Sequence, residues 1–317
     1  MKNVYFNHDG NVDDLVSLLL LLQMPDVNLL GVGVTDADGY VDPSVSASRK
    51  IVDLFGHEGR QPADIAKSNS RAVHQFPKEW RLSSFSFDDF PILNEHGEPK
   101  TPVAAKPGHL DMIDKIKSSD DKVTVVMTGP LSDLARALEV DPSITKNIES
   151  VHWMGGALNS KGNVAEPGAD DTMEWNAYWD AEAVKKVWDS DLKIIMVGLD
   201  STDQVPLTSE LRMRWATQRQ HPALDLIGQG YSLVHSFEAN SIYYLWDVLT
   251  TLASRYPELV ESVQVKTDVI TTGTSEGRTY QTDDGREITF VTSVDAEAFY
   301  DKIDELAKLG DKKQSIV

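Results

Sequence analysis

The run Val4-Tyr5-Phe6-Asn7-His8-Asp9-Gly10-Asn11-Val12-Asp13-Asp14, continued by an apolar stretch to Gln23, decides how the rest of the chain is read. Val4-Tyr5-Phe6 is a short β-type run, and after a polar loop Val12 to Gln23 has the apolar density of a buried helix, with Pro25 just past its end. Val27 to Val34 is again strand-like, and beyond Thr35-Asp36-Ala37-Asp38-Gly39 a helix is expected from about Pro43 to Phe55, with Pro43 in its first turn. The alternation returns at Val123 to Met127, which Thr128-Gly129-Pro130 breaks before helical spacing resumes from Leu131 to Leu138. It returns once more as strand Val151 to Met154, helix Ala181 to Trp188 and strand Lys193 to Val197. Strands that are apolar on both faces and separated by helices imply an α/β fold with a mostly parallel central sheet flanked by helices.

Three stretches depart from this rhythm. Ser68 to Gly108 is rich in proline and aromatics with little periodicity, as a long functional loop would be. Pro222 to Ser254 reads as helical, interrupted by Gly228 and Gly230, and Arg278 to Val291 reads as a hairpin around Asp283-Asp284-Gly285. At 317 residues the chain has room for two domains or one large one. With no repeat, low-complexity tract or linker, a single domain over residues 1–317 is expected.

Composition narrows the chemistry. Cys 0 excludes disulfides, thiolate zinc, iron–sulfur clusters and a cysteine nucleophile, so reactive groups must be oxygen and nitrogen. The net charge of −20 repels polyanions and argues against a nucleic-acid binder, although a single nucleoside would not sense it. The longest apolar stretch, Leu15 to Leu22 broken by Ser17, is far short of the roughly 18 residues of a membrane span. The immediate entry into a strand-like run leaves no room for a secretory signal, so a cytoplasmic location with no membrane partner is expected.

In a parallel α/β sheet ligands sit beyond the carboxyl ends of the strands. The residues there are acidic: Asp9, Asp13 and Asp14 after the first strand, Asp36 and Asp38 after the second, and Asp200 after the Lys193 strand. Carboxylates gathered at one sheet edge repel one another unless a hard cation lies between them. Asp13 and Asp14 would open the first helix, where its positive end favours them, and they would point about 100° apart, so that one can reach a metal and the other a substrate hydroxyl. The order of residues in an EF-hand calcium loop is missing.

These residues resemble the N-terminal aspartate signature of the nucleoside hydrolases, calcium-dependent enzymes that cleave the N-glycosidic bond of ribonucleosides. Further segments resemble, in order, the inosine-adenosine-guanosine-preferring branch of that family: Thr35-Asp36-Ala37-Asp38, Phe76-Pro77-Lys78-Glu79-Trp80, Thr128-Gly129-Pro130-Leu131-Ser132, Met154-Gly155-Gly156, Gly162-Asn163-Val164, Glu174-Trp175-Asn176 and Tyr243-Tyr244-Leu245-Trp246-Asp247. The resemblance implies Ca2+ bound by Asp9, Asp14, Asp247 and the carbonyl of Thr128, with Asp9 as the general base toward a calcium-held water. It implies Asp13 and Asn176 on the ribose 2′- and 3′-hydroxyls, and Asn163 and Glu174 on the 5′-hydroxyl. Asn11 and Asp38 would sit near the base, with Trp80 and Trp246 on the two faces of a purine. It also implies a homo-oligomer, a dimer or a tetramer, acting on a small-molecule purine ribonucleoside.

In the pyrimidine-tolerant branches a histidine precedes the last metal aspartate and can protonate the leaving base; here that place is Trp246. Purines offer N7 for protonation, so purine preference is expected, with a broader ribonucleoside hydrolase or a weakly catalytic nucleoside or ribose binder as alternatives. Ordinary core packing is the competing role for Trp80 and Trp246. Asn7 stands where most of the family has a first aspartate, which weakens a hydrogen bond behind the metal ligands and spares the ligands. Glu238 stands about where the purine branch can carry a lid arginine, and His8, His152 and His235 are candidate catalytic histidines outside the family's positions. A phosphatase of the haloacid dehalogenase type needs an aspartate nucleophile where this chain has Asn7, and is disfavoured.

Overall fold

The structure is a computed structural model, and it describes residues 1–234 and 242–310. Nine strands form one sheet: β1 (Lys2–His8), β2 (Val27–Val34), β3 (Ile65–Lys67), β4 (Val123–Met127), β5 (Ile148–Met154), β6 (Ile194–Val197), β7 (Val260–Val269), β8 (Thr279–Gln281) and β9 (Arg286–Val294). Their order is β3-β2-β1-β4-β5-β6-β9-β7-β8, parallel from β3 through β9, with β7 antiparallel to both of its neighbours. The chain therefore belongs to the α/β class, a mostly parallel sheet flanked by helices.

Successive residues of β1 point to opposite faces. Val4 and Phe6 enter one core, with the Val12–Gln23, Val41–Phe55 and Trp246–Ala253 helices, while Tyr5 enters the other, with the Gly108–Ser118, Ser132–Val140 and Ala181–Trp188 helices. All twelve residues of Val12–Gln23 are buried, and each fully buried leucine contributes about 1.5–3 kcal/mol of transfer free energy, which fixes this helix against the sheet. Its first turn is held by a capping box: Asn11 accepts from its own end of the helix while the Asp14 carboxylate accepts from the Asn11 N–H.

The sheet reverses its winding between β1 and β4, the topological switch point at which α/β sheets open a crevice. Register aligns the strand ends there, because Asn7 pairs with Met127 on one side and His8 with Val34 on the other. The loops beginning at Asp9, Thr35 and Thr128 thus start side by side. Gly10 makes the first of them possible: its φ is +87°, and a Cβ would lie 2.2 Å from the Ser44 hydroxyl oxygen.

Three expectations are corrected. The Pro222–Leu233 helix runs unbroken through Gly228 and Gly230. Gly230 serves packing, since a Cβ there would come within 2.7 Å of the Phe87 ring. The Arg278 to Val291 hairpin does not form, because β7 lies between β8 and β9 and pairs with each of them. The polar sequence of β7, exposed over much of its length, hides its strand character from an apolar pattern. The second helix starts at Val41, two residues before the expected Pro43, with the Val41 N–H donating to Asp36 Oδ1 at 3.1 Å. Among the described residues no helix is long and apolar enough to cross a membrane.

Candidate active site

A cavity of about 580 Å3 opens at the switch point. Its lining includes eleven of the twelve residues expected from sequence: Asp9, Asn11, Asp13, Asp38, Trp80, Thr128, Asn163, Glu174, Asn176, Trp246 and Asp247. The twelfth, Asp14, is fully buried beside them; its carboxylate accepts from the Thr128 hydroxyl at 2.6 Å and from the Asp9 N–H at 3.4 Å. Among the described lining residues there is no lysine or arginine.

Asp13, Asp14 and Asp247 each offer a carboxylate oxygen within 4.8 Å of the others. Asp13 and Asp14 therefore converge on one place despite their divergence around the helix. Asp13 is oriented from the far side, accepting from the Tyr243 hydroxyl at 2.8 Å and the Asp247 N–H at 3.3 Å. Asp9 stands next to this triad and accepts from the Asp38 N–H at 3.2 Å.

Burial is the main force on these acids, and their mutual repulsion adds to it. Asp9 and Asp247 are pushed well above the usual carboxylate range, first by burial and then by the neighbouring aspartates. Asp14 rises to about 7 by burial and the charge of Asp13, against the hydrogen bonds it receives. Asp38 rises to about 8, burial outweighing the hydrogen bond from Asn11. Hard oxygen donors crowded together without a cationic side chain are the donor set of a divalent metal site, and the triad is a group able to hold such an ion.

Another wall of the cavity is framed by the loops after β4 and β5. Asn176 donates from Nδ2 to the carbonyls of Thr128 at 3.2 Å and Met154 at 3.1 Å, leaving its buried Oδ1 with no hydrogen-bond partner. Glu174 caps the Trp175–Trp179 helix, accepting from the N–H groups of Asn176, Ala177 and Gly156. Burial lifts it to about 7 even so. Asn163 is tied to the same turn, its Oδ1 accepting from the Trp175 N–H at 3.0 Å.

Trp80 and Trp246 are half-buried and face the cavity, unlike Trp153, Trp179, Trp188 and Trp215, which fill the core. Trp246 meets Tyr243 edge-on at 4.6 Å, and Trp80 meets Trp175 edge-on at 5.7 Å. Tyr243 and Trp175 were not singled out from sequence, although both lie inside quoted segments; Ser83, also in the lining, carried no sequence signal at all.

Other candidates lie elsewhere. His8 is fully buried, stacked on Phe6 at 5.0 Å and held down to about 3 by burial, while His152 is held down to about 4; neither lines the cavity. Asp200 accepts from the N–H groups of Leu158, Asn159 and Ser160 and so anchors the loop after β5. Asn7 donates to Asp133 at 3.2 Å, so a hydrogen bond is made from this position. His235 and Glu238 lie outside the described residues.

A nine-stranded, mostly parallel α/β sheet with a buried carboxylate triad at its switch point, able to hold a metal ion, defines the structural class. The family model described as inosine-uridine preferring nucleoside hydrolase matches residues 4–301, and the chain belongs to that family, hydrolases acting on the N-glycosidic bond of nucleosides. The solved inosine-uridine preferring nucleoside hydrolase from Bacillus anthracis is 48% identical with a TM-score of 0.92, over 98% of this chain and 100% of that one. A probable uridine nucleosidase 2 of Arabidopsis thaliana is 27% identical over 88% of this chain and 85% of its own length. The purine-preferring ribonucleoside hydrolase from Gardnerella vaginalis shares the fold, with a TM-score of 0.80 at 24% identity over 97% of this chain and 100% of that one.

Proposed function

We propose that the protein hydrolyses purine ribonucleosides to free base and ribose with a calcium ion held by Asp9, Asp14, Asp247 and the Thr128 carbonyl. The observation that carries this reading is the buried carboxylate cluster, uncompensated by any cationic side chain in the cavity lining, beside two half-buried tryptophans. Calcium accepts six to eight oxygen ligands in loose geometry, which suits carboxylates, a carbonyl and vicinal sugar hydroxyls. When bound, it supplies a positive charge that eases deprotonation of the water and hydroxyls beside it.

The remaining chemistry falls to the chain. Asp9 accepts a proton from the attacking water as its oxygen bonds to C1′. The C1′–N9 electron pair leaves with the purine, whose N7 takes a proton. Positive charge that develops on the ribosyl group meets the carboxylates around it. Asp13 and Asn176 hold the 2′- and 3′-hydroxyls, Asn163 and Glu174 the 5′-hydroxyl, Asn11 and Asp38 the ring edge, and Trp80 and Trp246 the ring faces. Trp246 is no proton donor, so a pyrimidine would leave as an unstable anion.

A second reading, cleavage of both inosine and uridine, is supported by the names of the Bacillus anthracis and Arabidopsis thaliana relatives. Base release from inosine, adenosine, guanosine, uridine and cytidine, with and without a calcium chelator, separates these readings. Calcium-dependent release from the purines, with little from the pyrimidines, is expected. Uridine turnover equal to inosine's would replace purine preference by the second reading. Full activity after verified removal of calcium would overturn the metal assignment, and no release from any nucleoside would leave a binding protein.

A further inference from the structure

Two side chains, those of Arg81 and Ser84, pin the Trp80 segment to the loop after β2. Arg81 pairs with Asp36 at 2.5 Å and lies over the Tyr40 ring at 4.1 Å, and the Tyr40 N–H donates to the Ser84 hydroxyl at 3.1 Å. Between them, Ser83 reaches into the cavity lining itself. Its hydroxyl lies 2.5 Å from Asn11 Oδ1 and 2.9 Å from the Trp80 carbonyl oxygen.

The proton count gives this contact a direction. Asn11 Oδ1 already accepts from the Val12 N–H at 2.8 Å, which identifies it as the oxygen of the amide. A serine hydroxyl has one proton, and here it is shared between two acceptors, Asn11 Oδ1 the nearer. With both donors on its oxygen, the Asn11 amide must turn Nδ2 outward, and Nδ2 donates to Asp38 Oδ2 at 2.8 Å. The other oxygen of Asp38 is buried and has no hydrogen-bond partner in the protein, in a residue that lines the cavity. The chain of bonds therefore runs from the backbone of Trp80 through Ser83 and Asn11 to Asp38.

We propose that Ser83 is a positioning residue of the base subsite, whose hydroxyl sets the Trp80 face and the Asn11–Asp38 edge in register so that one base meets both together. This rests on the proposed placement of the base between Trp80 and Trp246. Ser83 acts through Asn11 and Trp80; it has no part in holding the sugar or the metal. Removing the hydroxyl takes away the bond that ties the Asn11–Asp38 edge to the Trp80 turn, while the Val12 N–H and Asp38 still hold the Asn11 amide, so the Trp80 turn shifts relative to that edge with no change on the ribose side of the cavity.

The test uses product inhibition of the calcium-loaded full-length enzyme, because hypoxanthine occupies only the base subsite and ribose only the sugar subsite. Ser83→Ala should weaken hypoxanthine inhibition five- to tenfold and raise KM for inosine by a similar factor. Ribose inhibition and kcat should stay within twofold of wild type, and Ser83→Thr, which keeps the hydroxyl, should restore at least half of the loss in hypoxanthine affinity. Equal weakening of hypoxanthine and ribose, or no change in either, would overturn the assignment, as would a Thr variant no better than Ala. Inhibition of the wild type by uracil and hypoxanthine checks the purine reading separately. If uracil bound in preference, purine selection would fall, and the Ser83 comparison would be made with uracil in the same way.

Discussion

Replacing Trp246 by alanine separates stacking from packing. The indole is half-buried, lines the cavity, contacts Tyr243 edge-on at 4.6 Å and donates from Nε1 to Asp203 at 3.4 Å. Stacking on a base contributes about 1–3 kcal/mol, which converts to roughly a 5- to 150-fold loss of kcat/KM for inosine when the ring is removed. A fully buried tryptophan truncated to alanine costs about 3–5 kcal/mol of stability; half-burial brings the expectation nearer to about 2 kcal/mol, so the variant should remain folded. The assay is initial-rate kinetics with inosine and with uridine in saturating calcium, alongside thermal melts of both proteins. Inosine should lose the larger factor and uridine much less, narrowing the ratio between them, while Trp246→Phe keeps most of the wild-type ratio. An equal loss for both substrates, tracking a large fall in Tm, would refute the stacking role and leave Trp246 as a packing residue.

Asp9→Asn should fold normally, since its side-chain oxygen can still accept from the Asp38 N–H, yet turnover should fall by about 10²–10⁴ in single-turnover measurements; wild-type turnover would remove Asp9 as the base. Glu174 gives a pH signature in metal-free protein. Its folded-state value near 7 lies above the ordinary carboxylate value of 4.5, so the folded state binds the extra proton. That contribution to stability is complete below about pH 4.5 and is lost as pH rises through about 7, with a slope of up to about 1.4 kcal/mol per pH unit. Chemical denaturation between pH 5 and 8 should show a shallower decline for Glu174→Gln than for wild type; parallel curves would contradict this. Because no cationic side chain lines the described cavity and six acids do, inosine 5′-monophosphate should be cleaved at least about 100-fold less efficiently than inosine, as direct competition assays would reveal.

The elements that the sequence determined are those whose environment is uniform along their length. Val12–Gln23 is buried on every side and Val27–Val34 and Val123–Met127 are buried over most or all of their length, so apolar runs marked them to the residue. The acids after β1 and the segments around Trp80, Glu174 and Trp246 were legible too, because a strand end followed by carboxylates, and segments resembling a known family in order, are local patterns. Of the twelve site residues named from sequence, every one except the buried Asp14 lines the cavity.

What only the tertiary structure decided are relations between distant residues. Strand order is one: nothing local tells β7 to insert between β8 and β9, and its exposed polar residues gave no apolar signal, so the nearer pairing of β8 with β9 looked natural. Gly230 is another, a helix residue chosen by the approach of Phe87. The same holds within the site, where Asp13 is oriented by Tyr243, 230 positions away, and Ser83 is bonded to Asn11, 72 positions away. A hydroxyl at the start of the short Ser83–Asp88 helix belongs to no long periodic pattern that would betray it. Its role comes from the atom it meets once the chain has closed, which is information carried by the fold and absent from any local pattern in the sequence.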